Sequence, residues 1–263
     1  MLHVNLADHS HRGSSRIHRL DPRIKILGAV LFILAVTLLP VGAWPSLTIF
    51  WLATLFMAYS SGLGLGYAVK RSFVALPFAL AAITLPLTVP GPALAQLGPF
   101  TLSLPGTLRF LTIVAKSWVA VQMAVLLTVT TPFPDLLWGL RELHVPRLLI
   151  SIVSFMYRYM FVLADEALRL RRARAARAAV GEAGKSGGSL LWRGKVAGGM
   201  VGNLALRAFE RSERIYNAML ARGFKGELIT LSAPHLTDSD RFSLVGWVTF
   251  LAMVVLIGFV FTR

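Results

Sequence analysis

Long apolar runs with almost no charge constrain the fold of this chain more than any other sequence feature. A helix that crosses a bilayer needs about 20 such residues, at a rise of about 1.5 Å each. The chain has 263 residues, of which 56% are hydrophobic and 15% are charged, whereas soluble domains carry about 25% charged residues. The runs are 24–39, 44–59, 73–89, 107–131 and 242–262, with a sixth possible run at 148–163. The sequence therefore predicts an all-α fold, an integral membrane helix bundle of about five transmembrane helices.

The placement of Lys and Arg predicts the topology, because these residues accumulate in cytoplasmic segments. Five basic residues occur before position 26, and Lys70 and Arg71 separate the second and third runs, while 41–43 and 90–106 carry no charge. Residues 141–227 contain 16 Lys and Arg against seven Asp and Glu. We therefore expect a cytoplasmic N-terminus and an external C-terminus. If 148–163 crossed, the densest basic cluster would lie outside, so we expect that stretch to lie along or partly within the inner leaflet.

Three regions follow from this topology. They are residues 1–140, a cytoplasmic leader with four transmembrane helices; residues 141–240, two long amphipathic cytoplasmic helices; and residues 241–263, the last transmembrane helix. The two cytoplasmic helices are predicted from Pro146 to Gly181 and from Met200 to Arg222. Between them, residues 181–202 contain eight glycines, which predicts a flexible or closely packed joint.

Acidic and basic side chains four residues apart support both cytoplasmic helices. Asp165 and Arg169 have this spacing on the first helix, and Glu210 and Arg214 have it on the second. Asp165 and Glu166 are the only adjacent carboxylates near the membrane, and the arginines around them favour structural pairing over acid–base catalysis. A membrane enzyme is therefore the weakest of the function classes considered.

Two patterns suggest cofactor chemistry but lack its structural context. Residues 179–186 match a loose phosphate-binding loop, which requires a strand before it and a helix after it, but an Arg- and Ala-rich helix precedes them. The polar N-terminus carries four histidines and an aspartate: His3, His9, His11, His18 and Asp8. A solvated leader explains them without a metal, and the chain has no cysteine. We therefore predict no metal site, no catalytic residue and no cofactor bound by this chain.

Two cations occur within the fourth apolar run. Arg109 can extend to the outer interface, whereas Lys116 lies two turns deeper and has no evident partner. A stand-alone secondary transporter or channel, the main alternative function, normally places carboxylates or histidines inside its spans and shows internal repeats. Neither is evident in this sequence. The net charge of +15 would suggest nucleic acid for a soluble protein, but here it is explained by topology.

With these motifs in order, the sequence resembles the transmembrane T component of energy-coupling factor transporters, most closely the CbiQ type that serves cobalt uptake. The resemblance covers nearly the whole chain. It rests on Leu20-Asp21-Pro22-Arg23-Ile24-Lys25 at the first span, Tyr157-Arg158-Tyr159 followed by Asp165-Glu166-Ala167, and Glu210-Arg211-Ser212-Glu213-Arg214 leading to Ala221-Arg222-Gly223-Phe224.

The resemblance implies a coupling subunit that hydrolyses nothing itself. Such proteins carry two Ala-Arg-Gly motifs whose arginines dock into a pair of ABC-type ATPase subunits, which use the ATP and Mg²⁺. The matching residues are Ala176, Arg177 and Ala178, where Ala178 replaces the usual glycine, and Ala221, Arg222 and Gly223. The other implied partners are the lipid bilayer and a CbiM-like substrate-binding membrane S subunit, with cobalt or nickel as cargo, in the bacterial plasma (inner) membrane.

Overall fold

The computed structural model describes residues 15–62, 64–97, 100–177, 189–226 and 237–262. Most of these residues are helical, which confirms the predicted helical membrane fold. The elements are α1 Arg16–Arg19, α2 Pro22–Leu38, α3 Trp44–Ser60, α4 Leu65–Arg71, a 3₁₀ turn Ser72–Ala75, α5 Leu76–Ala82, α6 Leu85–Thr88, β1 Ala93–Leu97, β2 Phe100–Ser103, α7 Leu104–Thr130, α8 Phe133–Glu142, α9 Arg147–Arg177, α10 Leu190–Ala221 and α11 Asp238–Phe261. The antiparallel β1–β2 hairpin was not predicted.

The chain divides into two compact units. Of the described residues, those from 15 to 143 and from 237 to 262 form one, called here the bundle unit, and those from 144 to 226 form the other, called here the two-helix unit. The bundle unit contains helices α1 to α8 and α11, and the two-helix unit contains α9 and α10.

The core of the bundle unit lies among α2, α3, α7 and α11. Phe32 of α2 and Phe50 of α3 are completely buried and meet edge to face, with their ring centroids 5.0 Å apart. Trp247 of α11 stacks on Phe32 at 6.1 Å and donates a hydrogen bond from Nε1 to the carbonyl of Gly28 at 3.1 Å. Without a hydrophobic driving force in lipid, such packing and hydrogen bonds hold the helices together.

Small residues bring α3 and α11 together at one end of this core. Ser46 Oγ donates to the carbonyl oxygen of Val254 at 3.0 Å. A Cβ atom added to Gly258 would lie only 2.7 Å from a methyl of Leu39 and 3.0 Å from Ser46 Oγ. Gly258 therefore allows a close approach that any larger residue would prevent.

Lys116 finds its partners on the backbone of α2. Its ammonium group donates to the carbonyl oxygens of Thr37, at 3.0 Å, and Leu39, at 2.6 Å. These carbonyls lie at the C-terminal end of α2. The last carbonyl oxygens of a helix have no N–H donor within the helix, and the helix dipole favours a cation there. The sequence could not name these partners, because helix ends appear in it only as chain positions.

The third predicted span is not one straight helix. Residues 73–89 are divided among the 3₁₀ turn, α5 and α6. Pro77 and Pro86 lie in the first turns of α5 and α6, where a missing N–H costs little. The prolines thus start new helical segments within a run that the sequence predicted as a single span.

Among the described residues, three helices are long and apolar enough to cross a membrane: α7, α9 and α11. A fourth candidate combines the bent segments Val69–Ala75 and Leu80–Thr88. Helices α2 and α3 contain 17 residues each, at the short end of the crossing range. The chain is therefore a membrane protein. Length and composition also permit α9 to cross, so its predicted place along the inner leaflet still rests on charge alone.

The two-helix unit differs from prediction at the start of its second helix. Helix α10 begins at Leu190, ten positions before the predicted Met200, and contains four glycines, Gly194, Gly198, Gly199 and Gly202. Ser189 caps it by accepting a hydrogen bond from the Trp192 amide at 3.3 Å. The Arg174 guanidinium of α9 also lies 5.7 Å from the centre of the Trp192 ring. The cap and this tertiary contact offset the weak helix propensity of glycine.

Candidate docking site on the two-helix unit

Helices α9 and α10 run antiparallel within their unit. Arg174 of α9 lies beside Trp192 near the start of α10, and Glu166 of α9 binds Arg207, half-way along α10. Arg177 therefore lies towards the beginning of α10, and Arg222 lies at its opposite end. Thirty residues separate positions 192 and 222, about 45 Å at the helical rise. The two candidate docking arginines thus mark opposite ends of the helix pair.

Glu166 of α9 joins the two helices through Arg207 and Arg211 of α10, and it also binds Arg169 on its own helix. Its Oε1 accepts from Arg207 Nη1 at 2.7 Å, its Oε2 accepts from Arg169 Nη2 at 2.9 Å, and Arg211 Nη2 lies 4.0 Å from Oε2. The carboxylate side chain is only 13% exposed, whereas the arginines are 35–63% exposed. Charge-assisted hydrogen bonds of this kind are short and directional. We call Glu166, Arg169, Arg207 and Arg211 the Glu166 clamp.

The clamp replaces one ion pair that the sequence predicted. Arg169 pairs with Glu166 three residues away, instead of with Asp165 four residues away. In the described part of the chain, Asp165, Glu210 and Arg214 form no ion pair, so the predicted Glu210–Arg214 pair is also not present. The i,i+3 geometry prevails because Glu166 faces α10, where further arginines hold its charge.

Arg222 is presented by a well-formed helix end. It is the C-terminal cap of α10, and the Phe224 amide donates to the carbonyl of Met219 at 3.0 Å while the Gly223 amide donates to that of Leu220 at 2.9 Å. Gly223 has φ of +79°, the left-handed conformation that this Schellman motif requires. The Arg222 side chain is exposed. The motif thus ends the helix immediately beyond this side chain, in agreement with the predicted end of the helix at Arg222.

Arg177 is the last residue of α9, and both it and Ala176 are exposed. Ala178, the third residue of the first motif, lies outside the described residues. Arg177 and Arg174 both belong to the last turn of α9, where positive charge interacts favourably with the helix dipole. The two motif arginines therefore share a setting at exposed, C-terminal helix ends.

An apolar groove of about 470 Å³ runs between α9 and α10 next to the Arg222 end. Met219 and Phe224 line it, and they occupy the two positions between which a hydrophobic contact usually accompanies a Schellman motif. Every residue of α10 is described and none is buried; Phe209 is 70% exposed and Leu206 is 66% exposed. Apolar surface of this extent on a helix pair marks contact with a membrane or with partner proteins.

The described residues offer little for chemistry on a small molecule. Among them, no group of three or more His, Asp or Glu is arranged to hold a metal ion. His3, His9, His11 and Asp8 of the N-terminal pattern, and the loose phosphate-loop pattern at 179–186, lie outside the described residues. The two-helix unit instead presents arginine side chains at exposed helix ends. Their guanidinium groups are suited to carboxylate and carbonyl acceptors on a protein.

The Asp21-Pro22-Arg23 motif, which sequence reasoning used only as a family signature, has a structural role in the bundle unit. Asp21 is buried and caps α2 by accepting from the Arg23 amide at 2.8 Å. Arg23 reaches α8, where it pairs with Glu142 at 3.2 Å and lies 4.5 Å from the centre of the Trp138 ring. The sequence analysis did not predict α8, which contains ten residues. The amphipathic pattern of residues 133–142 could have identified it.

Comparison with known proteins agrees with this picture of a membrane protein. Residues 13–231 match the family model described as CbiQ, cobalt transport protein. The energy-coupling factor transporter transmembrane protein EcfT of Brevibacillus brevis is 29% identical over 93% of this chain and 94% of its own. The cobalt transport protein CbiQ of Rhodobacter capsulatus is 32% identical over 60% of this chain and 65% of its own. The nickel permease LarQ of Lactiplantibacillus plantarum is 31% identical over 51% and 44%.

Proposed function

Because the chain belongs to the CbiQ family of cobalt transport proteins, we propose that it is the transmembrane coupling subunit of an energy-coupling factor importer. In this role it hydrolyses no ATP itself. A pair of ABC-type ATPase subunits supplies the energy, and a separate membrane S subunit binds the substrate. The observation that carries the proposal is the pair of exposed C-terminal helix ends that display Arg177 and Arg222.

Each helix end engages one ATPase subunit. A guanidinium group offers a planar set of donors that matches carboxylate and carbonyl acceptors, and it keeps its charge under all physiological conditions. Arg177 and Arg222 lie at opposite ends of the antiparallel pair, about 45 Å apart along α10, which leaves room for a separate subunit at each. Closure of the ATPase dimer on ATP then moves one helix end relative to the other.

The cargo is a divalent transition metal ion, cobalt or nickel. This rests on the relatives, since the Rhodobacter capsulatus relative is named a cobalt transport protein and the Lactiplantibacillus plantarum relative a nickel permease. Recognition of the ion belongs to a CbiM-like S subunit. The protein resides in the bacterial plasma membrane, with the N-terminus and the two-helix unit on the cytoplasmic side, where the ATP is, and the C-terminus outside.

Charge reversal at the two arginines tests this proposal. The double variant Arg177→Glu and Arg222→Glu should abolish co-purification of the ATPase subunits and ATP-dependent ⁵⁷Co²⁺ uptake by cells that express the whole complex. Arg214→Glu is the matched control, because Arg214 is also exposed on α10 and makes no ion pair in the described part of the chain. It should assemble normally.

Unchanged assembly and uptake in the double variant would overturn the proposal. Uptake that persists when the ATPase subunits are deleted would do so as well, and would favour the stand-alone secondary transporter. An ATPase assay on the purified complex, with and without the double substitution, separates a loss of docking from a loss of expression.

A further inference from the structure

A crevice in the bundle unit lies outside the coupling machinery. It has a volume of about 780 Å³ and is lined by residues of α1 to α3, α7 and α11, together with Leu20. This volume is within the range of sites that hold small molecules. Aromatic side chains line much of it. Trp247, which stacks on Phe32 and Phe250, is one of them, and Phe56, which is 71% exposed, is another.

The crevice exists because α3 and α11 converge at one end only. At their external ends, by the proposed topology, Ser46 and Gly258 bring the two helices into direct contact. Towards the other end, the bulky side chains of Phe56, Trp247 and Phe250 line the crevice. The resulting opening is at the end of the bundle where α2 and α11 begin and α3 and α7 end.

Polar groups line only that end of the crevice. Lys25 lies in the first turn of α2, Ser60 and Thr130 are the last residues of α3 and α7, and Ser243 is in the second turn of α11. The lining residues deeper along the helices are apolar, apart from the carbonyl edge at Gly28. The crevice therefore has a wet end at the membrane surface and a dry interior.

Its depth matches one leaflet of a bilayer. Lining residues of α3 extend from Ile49 to Ser60, which is about 16 Å at the helical rise, and half of the hydrocarbon core is about 15 Å. A transmembrane helix of a partner would need a groove twice as deep, because it crosses both leaflets. An acyl chain that enters from one surface needs only this depth.

Lys25 supplies the single charge among the described residues that line the crevice. Its ammonium group donates to the carbonyl oxygens of His18 at 3.0 Å and Thr130 at 3.3 Å, which leaves one of its three donors for another acceptor. Two carboxylates also act on it electrostatically, those of Asp21 and Asp135. Among the described residues, Lys25 hydrogen-bonds to carbonyl oxygens and to neither of these carboxylates, so its remaining donor can meet a phosphate oxygen.

We propose that this crevice binds one glycerophospholipid of the cytoplasmic leaflet, with its phosphate at Lys25 and an acyl chain between α3 and α11. The assignment of the leaflet rests on the proposed topology, while the binding itself does not. A lipid held there would wedge the two helices apart at their cytoplasmic ends and would support Trp247 on Gly28.

Lipid retention by the intact transporter complex tests the proposal. The complex is washed in detergent and its bound lipid is counted by native mass spectrometry, after loading with either phosphatidylglycerol or diacylglycerol of the same acyl chains. We expect one phosphatidylglycerol per chain and about tenfold lower retention of diacylglycerol. Ala53→Phe, which fills the crevice, should reduce phosphatidylglycerol retention about tenfold. Ala124→Phe, at an exposed position of α7 outside the crevice, should leave it unchanged.

A photoreactive phenylalanine analogue at Phe56 identifies the occupant directly, even if Ala53→Phe fails to fold. A cross-link to phospholipid supports the proposal. A cross-link to protein, whether a partner subunit or another part of this chain, overturns it, as does equal retention of the two lipids. Because ATPase co-purification is measured on the same sample, failure here is distinguishable from failure of the coupling function.

Discussion

The sharpest prediction concerns the substitution Glu166→Gln in the Glu166 clamp. Glutamine has the same shape as glutamate but no charge, and its amide group would direct two N–H donors towards arginine donors. The carboxylate is 13% exposed and binds Arg207 at 2.7 Å and Arg169 at 2.9 Å. The substitution therefore removes the attraction that joins α9 to α10 with little change in volume.

The expected cost follows from these contacts. A hydrogen bond to a charged group contributes about 1.5–3 kcal/mol when shielded, and an exposed ion pair about 0.2–1 kcal/mol. Of the three arginines, Arg207 and Arg211 reach Glu166 from α10, and they are 52% and 35% exposed, so solvent screening brings the sum of these two contacts to about 1–2 kcal/mol. That corresponds to a factor of about 5–30 in the equilibrium between joined and separated helices. This loss is large relative to the other interactions between α9 and α10, because no residue of α10 is buried.

Double electron–electron resonance can measure the separation of the helices. The chain has no cysteine, so Ala175→Cys on α9 and Ala197→Cys on α10, both at exposed positions, can carry spin labels without background. In the full chain in lipid nanodiscs, Glu166→Gln should broaden the distance distribution and add a population at longer distance. High salt should produce part of the same change in the unsubstituted protein, because it screens the ion pairs.

Asp165→Asn is the matched control, since Asp165 is the neighbouring carboxylate and forms no ion pair among the described residues. It should leave the distribution unchanged. If Glu166→Gln and Asp165→Asn give the same narrow distribution, the clamp does not hold the helices and the reasoning is refuted. Cobalt uptake measured in parallel should fall for Glu166→Gln while the ATPase subunits still co-purify.

Three further substitutions test the packing of the bundle unit and the end of α10. Lys116→Met removes two hydrogen bonds to the end of α2 and should lower stability by about 1–3 kcal/mol, measured as thermal unfolding in detergent. Gly223→Ala places a side chain at φ of +79°, which costs about 1–2 kcal/mol. ATPase co-purification should weaken more than with Gly226→Ala, which has a similar φ of +87° outside the Schellman motif. Gly258→Val should destabilise the bundle by about 1–3 kcal/mol, whereas Gly246→Val, with open space around it, should not.

Each of these has a contrary result. An unchanged melting temperature for Lys116→Met would mean that water or lipid replaces its two carbonyl partners. Equal ATPase binding by Gly223→Ala and Gly226→Ala would show that the helix end does not position Arg222. Equal melting temperatures for Gly258→Val and Gly246→Val would contradict the close approach of α3 and α11.

The sequence alone determined that this is a helical membrane protein of the CbiQ family. Apolar runs and the distribution of charge are local properties of a chain, so both can be identified directly from the sequence. The family motifs are also local, which is why the residue numbers of both candidate docking arginines could be read without a structure. The end of α10 was predicted correctly for the same reason, because a glycine after an amphipathic stretch signals the Schellman motif.

Only the tertiary structure decided which partners each charge takes. In the sequence, Glu166 was one of two adjacent carboxylates. It joins α9 to α10 because Arg207, 41 residues away on α10, donates a hydrogen bond to it. Lys116 had no partner until folding brought it to the carbonyls at the end of α2, 77 to 79 residues distant. The start of α10 likewise depends on the contact between Trp192 and Arg174. Electrostatic and packing energies depend on distance in space, which sequence separation does not specify.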